Sequence, residues 1–245
     1  MASSTDDSTE SAPADDQHPA HGPMRGVTQP SREEALALPD LHISRHPIVA
    51  ARLTALRDAT TPPAQFSALV RDLGALLAYE ATGDLDTEPW EIHTPLEPME
   101  GLRLAAGVGV APILRAGLGM AEGFRQVAPE AQVWHLGLRR DEATLRPVQY
   151  YSQIARASQL HVCYVVDPML ATGGSVIDAL DLLSAHGVRR LRVITLIAAP
   201  YGLVAVRRAH PKVPIYTAAV DDRLDERGYI LPGLGDAGDR QFSTL

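Results

Sequence analysis

The segment Val165-Val166-Asp167-Pro168-Met169-Leu170-Ala171-Thr172-Gly173-Gly174-Ser175 places a carboxylate, two hydroxyls and two adjacent glycines in one short stretch. Each has a use toward a phosphorylated sugar. Glycines let backbone N–H groups approach a phosphate closely. A helix opening at Ser175 adds partial positive charge and unpaired donors at its N-terminus. Thr172 and Ser175 add hydroxyl donors, and Asp167 can accept hydrogen bonds from sugar hydroxyls. Taken alone, Thr-Gly-Gly-Ser fits an ordinary strand–turn–helix equally well. The acid five residues before Thr172, at the end of an apolar run, favours a site for a ribose 5-phosphate. Such a site needs no lysine. The chain has a single one, Lys212, in the turn Pro211-Lys212-Val213-Pro214, so a lysine-dependent phosphate loop or a Schiff base is improbable.

Arginine is the other available cation. Arg115 follows the apolar run Pro112-Ile113-Leu114, where an isolated charge is costly unless it faces a cleft. Arg139-Arg140-Asp141-Glu142 follows Val133 to Leu138; by default such a run is a solvated charged turn. Asp236, in Gly-Leu-Gly-Asp-Ala-Gly-Asp, reads first as a turn residue that bonds its own backbone. No carboxylates stand at metal-ligand spacing. Cys163 lies inside an apolar run and reads as a buried core thiol. Nothing looks like a nucleophile backed by a base.

Stepping outward, the elements alternate. Helices are expected at Pro47 to Ala59, Pro63 to Thr82, from the Leu114–Gly119 loop to Val127, at Ser175 to His186 and at Tyr201 to His210. Strands are expected at Trp90 to Thr94, Val108 to Ile113, Val133 to Leu138, Val162 to Val166, Leu191 to Ile197 and Ile215 to Val220. Continuous apolar strands between helices imply an α/β fold, with a mostly parallel sheet covered on both faces. Ligands bind beyond the carboxyl ends of such strands. Residues 1 to about 40 are rich in Ser, Asp, Pro and Ala and read as a disordered tail, whose first 30 residues should be dispensable. The domain is expected over 41–245.

The Asp167–Ser175 segment resembles the phosphoribosyl pyrophosphate (PRPP) loop of type I phosphoribosyltransferases. Pro168 stands where the common form has a second acid, which resembles the uracil-specific branch. Three further stretches resemble that branch: Pro112 to Met120, Tyr79-Glu80-Ala81-Thr82, and Gly228 to Asp239. The resemblance covers roughly 41–245. It implies a twisted, mostly parallel sheet with a small base-binding hood, built partly from 221–245. It implies that Asp167, Pro168, Met169, Leu170, Ala171, Thr172, Gly173, Gly174 and Ser175 bind PRPP with Arg115, Arg140 and Asp236. Arg140 and Asp236 are the implied catalytic residues. Ile230, Gly235, Asp236 and Ala237 are implied to bind uracil. Arg140 would lie in a segment that is mobile and closes over PRPP. Mg²⁺ would arrive on the pyrophosphate and its waters, with no direct protein ligands. GTP as an effector and a homo-oligomer, dimer or larger, are further implications.

Two other readings remain open. Gly117-Leu118-Gly119-Met120-Ala121-Glu122-Gly123 approaches a dinucleotide fingerprint, but its third glycine comes one residue late. A regulator that binds PRPP or UMP and controls RNA is the second. The net charge of −8 disfavours it, although Arg189, Arg190 and Arg192 could form a local patch; these arginines read instead as solvated. No apolar stretch is long enough to span a bilayer and no signal pattern opens the chain, so a cytoplasmic protein with no membrane or nucleic-acid partner is expected.

Overall fold

The computed structural model describes residue 24 and residues 26–140, 147–151 and 160–244; for 138–140 and 147–151 it describes the backbone. A parallel sheet runs in the order β1 (Leu41–Ile43), β11 (Ile215–Val220), β10 (Leu191–Ala198), β8 (Leu160–Val166), β4 (Gly107–Pro112) and β5 (Gln132–Val133). Strand β9 (Met169–Leu170) adds to the end of β10. Residues of β8 alternate between two cores. Val162, Tyr164 and Val166 face helices α2 (Pro47–Arg57), α3 (Pro63–Ala81) and α4 (Leu118–Val127). Cys163 and Val165 face α1 (Arg32–Leu36), α5 (Gly174–Ala185) and α6 (Pro200–Ala209). Both faces of the sheet are therefore covered, as the continuous apolar strands require. Cys163 is fully buried, and burial pushes its thiol up to about 12, so it is a core residue.

The structure departs from the sequence expectations in four places. The expected strand Val133 to Leu138 is divided. Gln132–Val133 joins the sheet, whereas β6 (Gly137–Arg140) pairs antiparallel with β7 (Pro147–Tyr151). Trp90 to Thr94 belongs to a longer hairpin, β2 (Thr87–His93) with β3 (Pro98–Leu104), whose polar, glycine-containing second strand has no clear hydrophobic alternation. Helix α1 lies inside the stretch read as tail. Ser31 Oγ accepts from Glu34 N–H at 3.1 Å and Glu34 returns a bond to Ser31 N–H at 2.7 Å, a reciprocal cap that nucleates one turn over buried Ala35. Arg192 is not solvated. It is buried, and its guanidinium grips both carboxylate oxygens of Asp84 at 2.5 and 2.7 Å and the Ala81 carbonyl at the end of α3. Each partner stabilises the other's charge: Asp84 is held below the usual carboxylate range and Arg192 above its own. Arg190 turns toward His161 and Asp86.

Among the described residues, no helix is long and apolar enough to cross a membrane.

Candidate active site

The sheet aligns its strand ends. Register pairs Pro112 with Val166, Val166 with Ile194, and Ala198 with Val220. The loops that leave these strands therefore share one edge, the position where open parallel sheets bind ligands.

The loop after β8 is pinned through its backbone. Asp167 N–H donates to Ile194 O at 3.2 Å, and Pro168 O accepts from Leu196 and Ile197 N–H, each at 3.1 Å. Ala199 N–H then donates to Leu170 O at 2.9 Å. Pro168 thus serves through its carbonyl, and a second acidic side chain is not needed to hold the turn. Gly173 has φ +89° and opens α5 with no side-chain cap, and the first turn lines the cleft. Asp167 and residues 169–176 line a cleft of about 80 Å³.

Packing also requires glycine at 173. A Cβ there would lie 3.1 Å from Gly202 O and 3.3 Å from Ala205 Cβ, against α6. Gly202 shows the same contact from the other side, since its Cβ would meet Ala171 O at 2.5 Å. Sequence reading singled out Gly173 but missed Gly202, because the contact spans two elements far apart in the chain.

Asp167 ends its strand partly buried, with Oδ1 accepting from Met169 N–H at 3.2 Å. Burial pushes its carboxyl up to about 7; the Met169 bond opposes this and the nearby Asp236 charge adds to it. Asp236 is thereby near enough to Asp167 for the two charges to interact. Its Oδ1 also accepts from Asp239 N–H at 2.9 Å and caps α7 (Ala237–Phe242). The turn-residue reading of Asp236 is borne out by this cap, which also fixes the direction of its carboxylate.

Arg115 stands in the loop after β4, exposed and 3.5 Å from Asp239 Oδ1. Its peptide bond with Leu114 is cis. Gln241 of α7 donates to Ala116 O at 2.9 Å, so this loop and the C-terminal segment are tied together. That segment includes β12 (Arg223–Leu224) paired antiparallel with β13 (Ile230–Leu231), the turn at Gly233 and Gly235, and α7. Ile230 and Ala237 are buried and Gly235 is exposed with φ +77°.

Two arginines from distant sequence secure it. Arg240 donates to Leu56 O, Leu234 O and Asp58 O. Arg57, in the last turn of α2, binds buried Asp221 and Gly233 O. Neither Arg57 nor Asp221 was singled out from sequence. A usable signal existed: Asp221 follows a buried strand just as Asp167 does.

The structure ties the Arg115 loop to α7, next to the Gly235–Ala237 turn, and sets Asp236 within charge range of Asp167. Arg140 ends β6, but its side chain, and residues 141–146 of its expected loop, lie outside the described residues. The near-dinucleotide glycines serve packing. A Cβ on Gly117 would meet Val166 O at 2.4 Å, and one on Gly123 would meet Arg71 O of α3 at 2.1 Å. They admit neighbouring backbone.

Comparison with known proteins agrees with this geometry. A family model described as uracil phosphoribosyltransferase matches residues 43–244. A uracil phosphoribosyltransferase of Roseiflexus castenholzii is 52% identical over 202 residues, 82% of this chain and 97% of the relative. One from Paracoccus denitrificans is 50% identical over 205 residues, 83% of this chain and 97% of that one. The solved structure of the AQ2163 protein from Aquifex aeolicus superposes with a TM-score of 0.78 at 35% identity, over 83% of this chain and 98% of that chain.

Proposed function

The chain belongs to the uracil phosphoribosyltransferase family, and we infer that it joins N1 of uracil to C1 of PRPP, giving UMP and pyrophosphate. The observation that carries this is the Asp167–Ser175 loop opening α5 within the family match. It pairs an uncapped helix N-terminus for the 5-phosphate with an acid for the ribose hydroxyls.

In the transfer, the C1–O bond to pyrophosphate breaks, the N1–C1 bond forms, and the N1 proton is lost. The protein's part is positioning and charge stabilisation, with no covalent enzyme intermediate. Arg115 and Arg140 suit a pyrophosphate leaving group, because a guanidinium fork binds phosphate oxygens in pairs and stays protonated. Asp167 orients the ribose. Among the described residues no cluster of three metal-ligating side chains occurs. Such a site suits Mg²⁺ carried on pyrophosphate and water, with Asp236 near its hydration shell; bound this way, Mg²⁺ would neutralise charge on the leaving group.

Uracil presents an acceptor, a donor and an acceptor along O4, N3–H and O2. Backbone groups of Ile230 and of Gly235, Asp236 and Ala237 can answer in that order. Cytosine would set an amino donor against a backbone donor. A buried unpaired donor costs ~1–3 kcal/mol, and sites built on hydrogen bonds discriminate by about 10⁴ or more. Five apolar side chains exposed on the β2–β3 hairpin, Trp90, Ile92, Leu96, Met99 and Leu102, support a homo-oligomer. Activation by GTP rests on the family resemblance. A cytoplasmic location goes with PRPP, a multiply charged substrate that does not cross membranes unaided.

Incubation with PRPP, Mg²⁺ and a panel of bases tests the reading. UMP from uracil, turnover of 5-fluorouracil, and negligible product from cytosine, adenine, guanine or hypoxanthine are expected. Comparable turnover of cytosine or a purine would overturn the account of the C-terminal segment.

A further inference from the structure

Residues before 43 lie outside the family match, and the Roseiflexus relative is matched over 97% of its length by 202 residues of this chain. The described residues of this segment, Met24 and 26–42, nevertheless dock, several of them on the hood, which runs against the expectation that the first 30 residues are dispensable. Met24 is buried and its N–H donates to Glu226 O at 2.8 Å. Gln29 meets Leu224 with both ends of its amide: Nε2 donates to Leu224 O at 2.9 Å and Oε1 accepts from Leu224 N–H at 2.8 Å. Arg32 Nε donates to Val220 O at 2.9 Å, and α1 packs on α6 beyond it.

The position of these bonds matters more than their number. Strand β12 has two residues, and an isolated two-stranded ribbon is marginal in water. Gln29 supplies a donor and an acceptor where a third strand would, on the outer edge of Leu224. Leu224 pairs across the ribbon with Ile230, whose backbone belongs to the proposed base site. The turn joining the two strands comes back over the phosphate loop, where a Cβ on Gly228 would lie 3.8 Å from Thr172 Cγ2. Gln29 is thus two residue contacts, through Leu224 and Ile230, from the proposed uracil position.

We propose that Met24 and residues 26–38 brace the base-binding hood and that Gln29 is a positioning residue for uracil, acting through Leu224 and Ile230. The proposal rests on the assignment of Ile230 to the base site. Gln29→Ala in the full chain tests it by steady-state kinetics. The KM for uracil should rise about tenfold, equivalent to ~1.4 kcal/mol, with kcat and the KM for PRPP nearly unchanged. Gln29→Glu keeps the acceptor for Leu224 N–H but sets a carboxylate against Leu224 O. It should behave like the alanine variant at neutral pH and recover toward wild type under acidic conditions, where a protonated carboxyl donates. Hydrogen exchange at Leu224 N–H needs no substrate and should quicken in Gln29→Ala. An unaltered uracil KM in folded Gln29→Ala, or a parallel loss of kcat and both KM values, would overturn the positioning role. Unchanged exchange at Leu224 would overturn the brace itself. Failure of the wild-type chain to convert uracil would instead sink the assigned reaction, and the exchange result would still decide the brace.

Discussion

Asp221 and Arg57 lie 164 residues apart and hold one turn between them. Both terminal nitrogens of Arg57 bind the Asp221 carboxylate, at 2.5 and 2.8 Å. Arg57 also donates to Gly233 O at 2.7 Å, and Asp221 accepts from Gly233 N–H at 2.9 Å. The pair therefore satisfies both backbone groups of a residue standing between Ile230 and Asp236. Gly233 has φ +68°, and a Cβ there would strike Ile230 O. The sharp turn needs glycine, and its polar groups need this ion pair.

Arg57→Ala leaves the buried Asp221 carboxylate without its partner, a change that typically costs ~3–5 kcal/mol. A lowered melting temperature is expected, with a raised KM for uracil in the protein that still folds. Arg57→Lys should recover part of the stability but little of the uracil affinity, because an ammonium cannot bridge Asp221 and Gly233 O as the planar fork does. Wild-type uracil KM in the lysine variant would show that the turn does not depend on this geometry.

Asp167 should make ribose 5-phosphate binding pH-dependent. Its folded pKa, about 7, is above the ordinary 3.8. The ionised form, the better acceptor for sugar hydroxyls, grows as pH rises through about 7, so affinity attributable to this residue rises in that window. The linkage to stability has the opposite sign. Stability associated with the protonated carboxyl is fully present below pH 3.8 and is lost as pH rises through about 7. Asp167→Asn should bind PRPP more weakly at pH 8, flatten the affinity profile once the phosphates' own titration is subtracted, and gain relative stability at high pH. Calorimetric titration and thermal melts across pH 5.5–8.5, a range of about three units around the shifted value, would check both signs.

Gly202→Val should weaken PRPP binding although Gly202 lies outside the cleft lining. Its Cβ would fall 2.5 Å from Ala171 O and 2.9 Å from Leu170 O, so either α6 or the phosphate loop must move. Overpacking of this kind costs typically ~1–3 kcal/mol. Gly173→Val adds an unfavourable positive φ to a contact on α6 and should impair folding as well as binding. Circular dichroism with PRPP titration separates the two; unaltered affinity in folded Gly202→Val would show that the helix does not set the loop.

Arg140→Ala should lower kcat with little change in stability. Loss of one charged contact to the leaving group corresponds to ~2–4 kcal/mol of transition-state stabilisation. Lysine should not restore it fully, since the paired fork is lost. Single-turnover rates with saturating PRPP provide the measurement.

Local chemistry was legible in the sequence wherever one continuous segment carried it. The alternation of β8, the acid at its end and the glycines opening α5 are near neighbours in the chain, and short-range geometry follows from their order. The reciprocal cap of Ser31 and Glu34 was equally local, but the polar composition around it obscured it. Contacts that join distant segments were decided only by the tertiary structure. Arg192 reads as a surface charge until β10 places it beside Asp84 at the end of α3. Gly202 looks like an ordinary helix residue until α6 meets the phosphate loop. Arg57, Gln29 and Asp221 acquire their roles because the end of α2, the segment before α1 and the loop after β11 all meet the C-terminal segment, where they satisfy its backbone groups. Sequence order sets which groups each segment offers; packing decides which of those groups meet, because buried polar atoms must find partners across the fold.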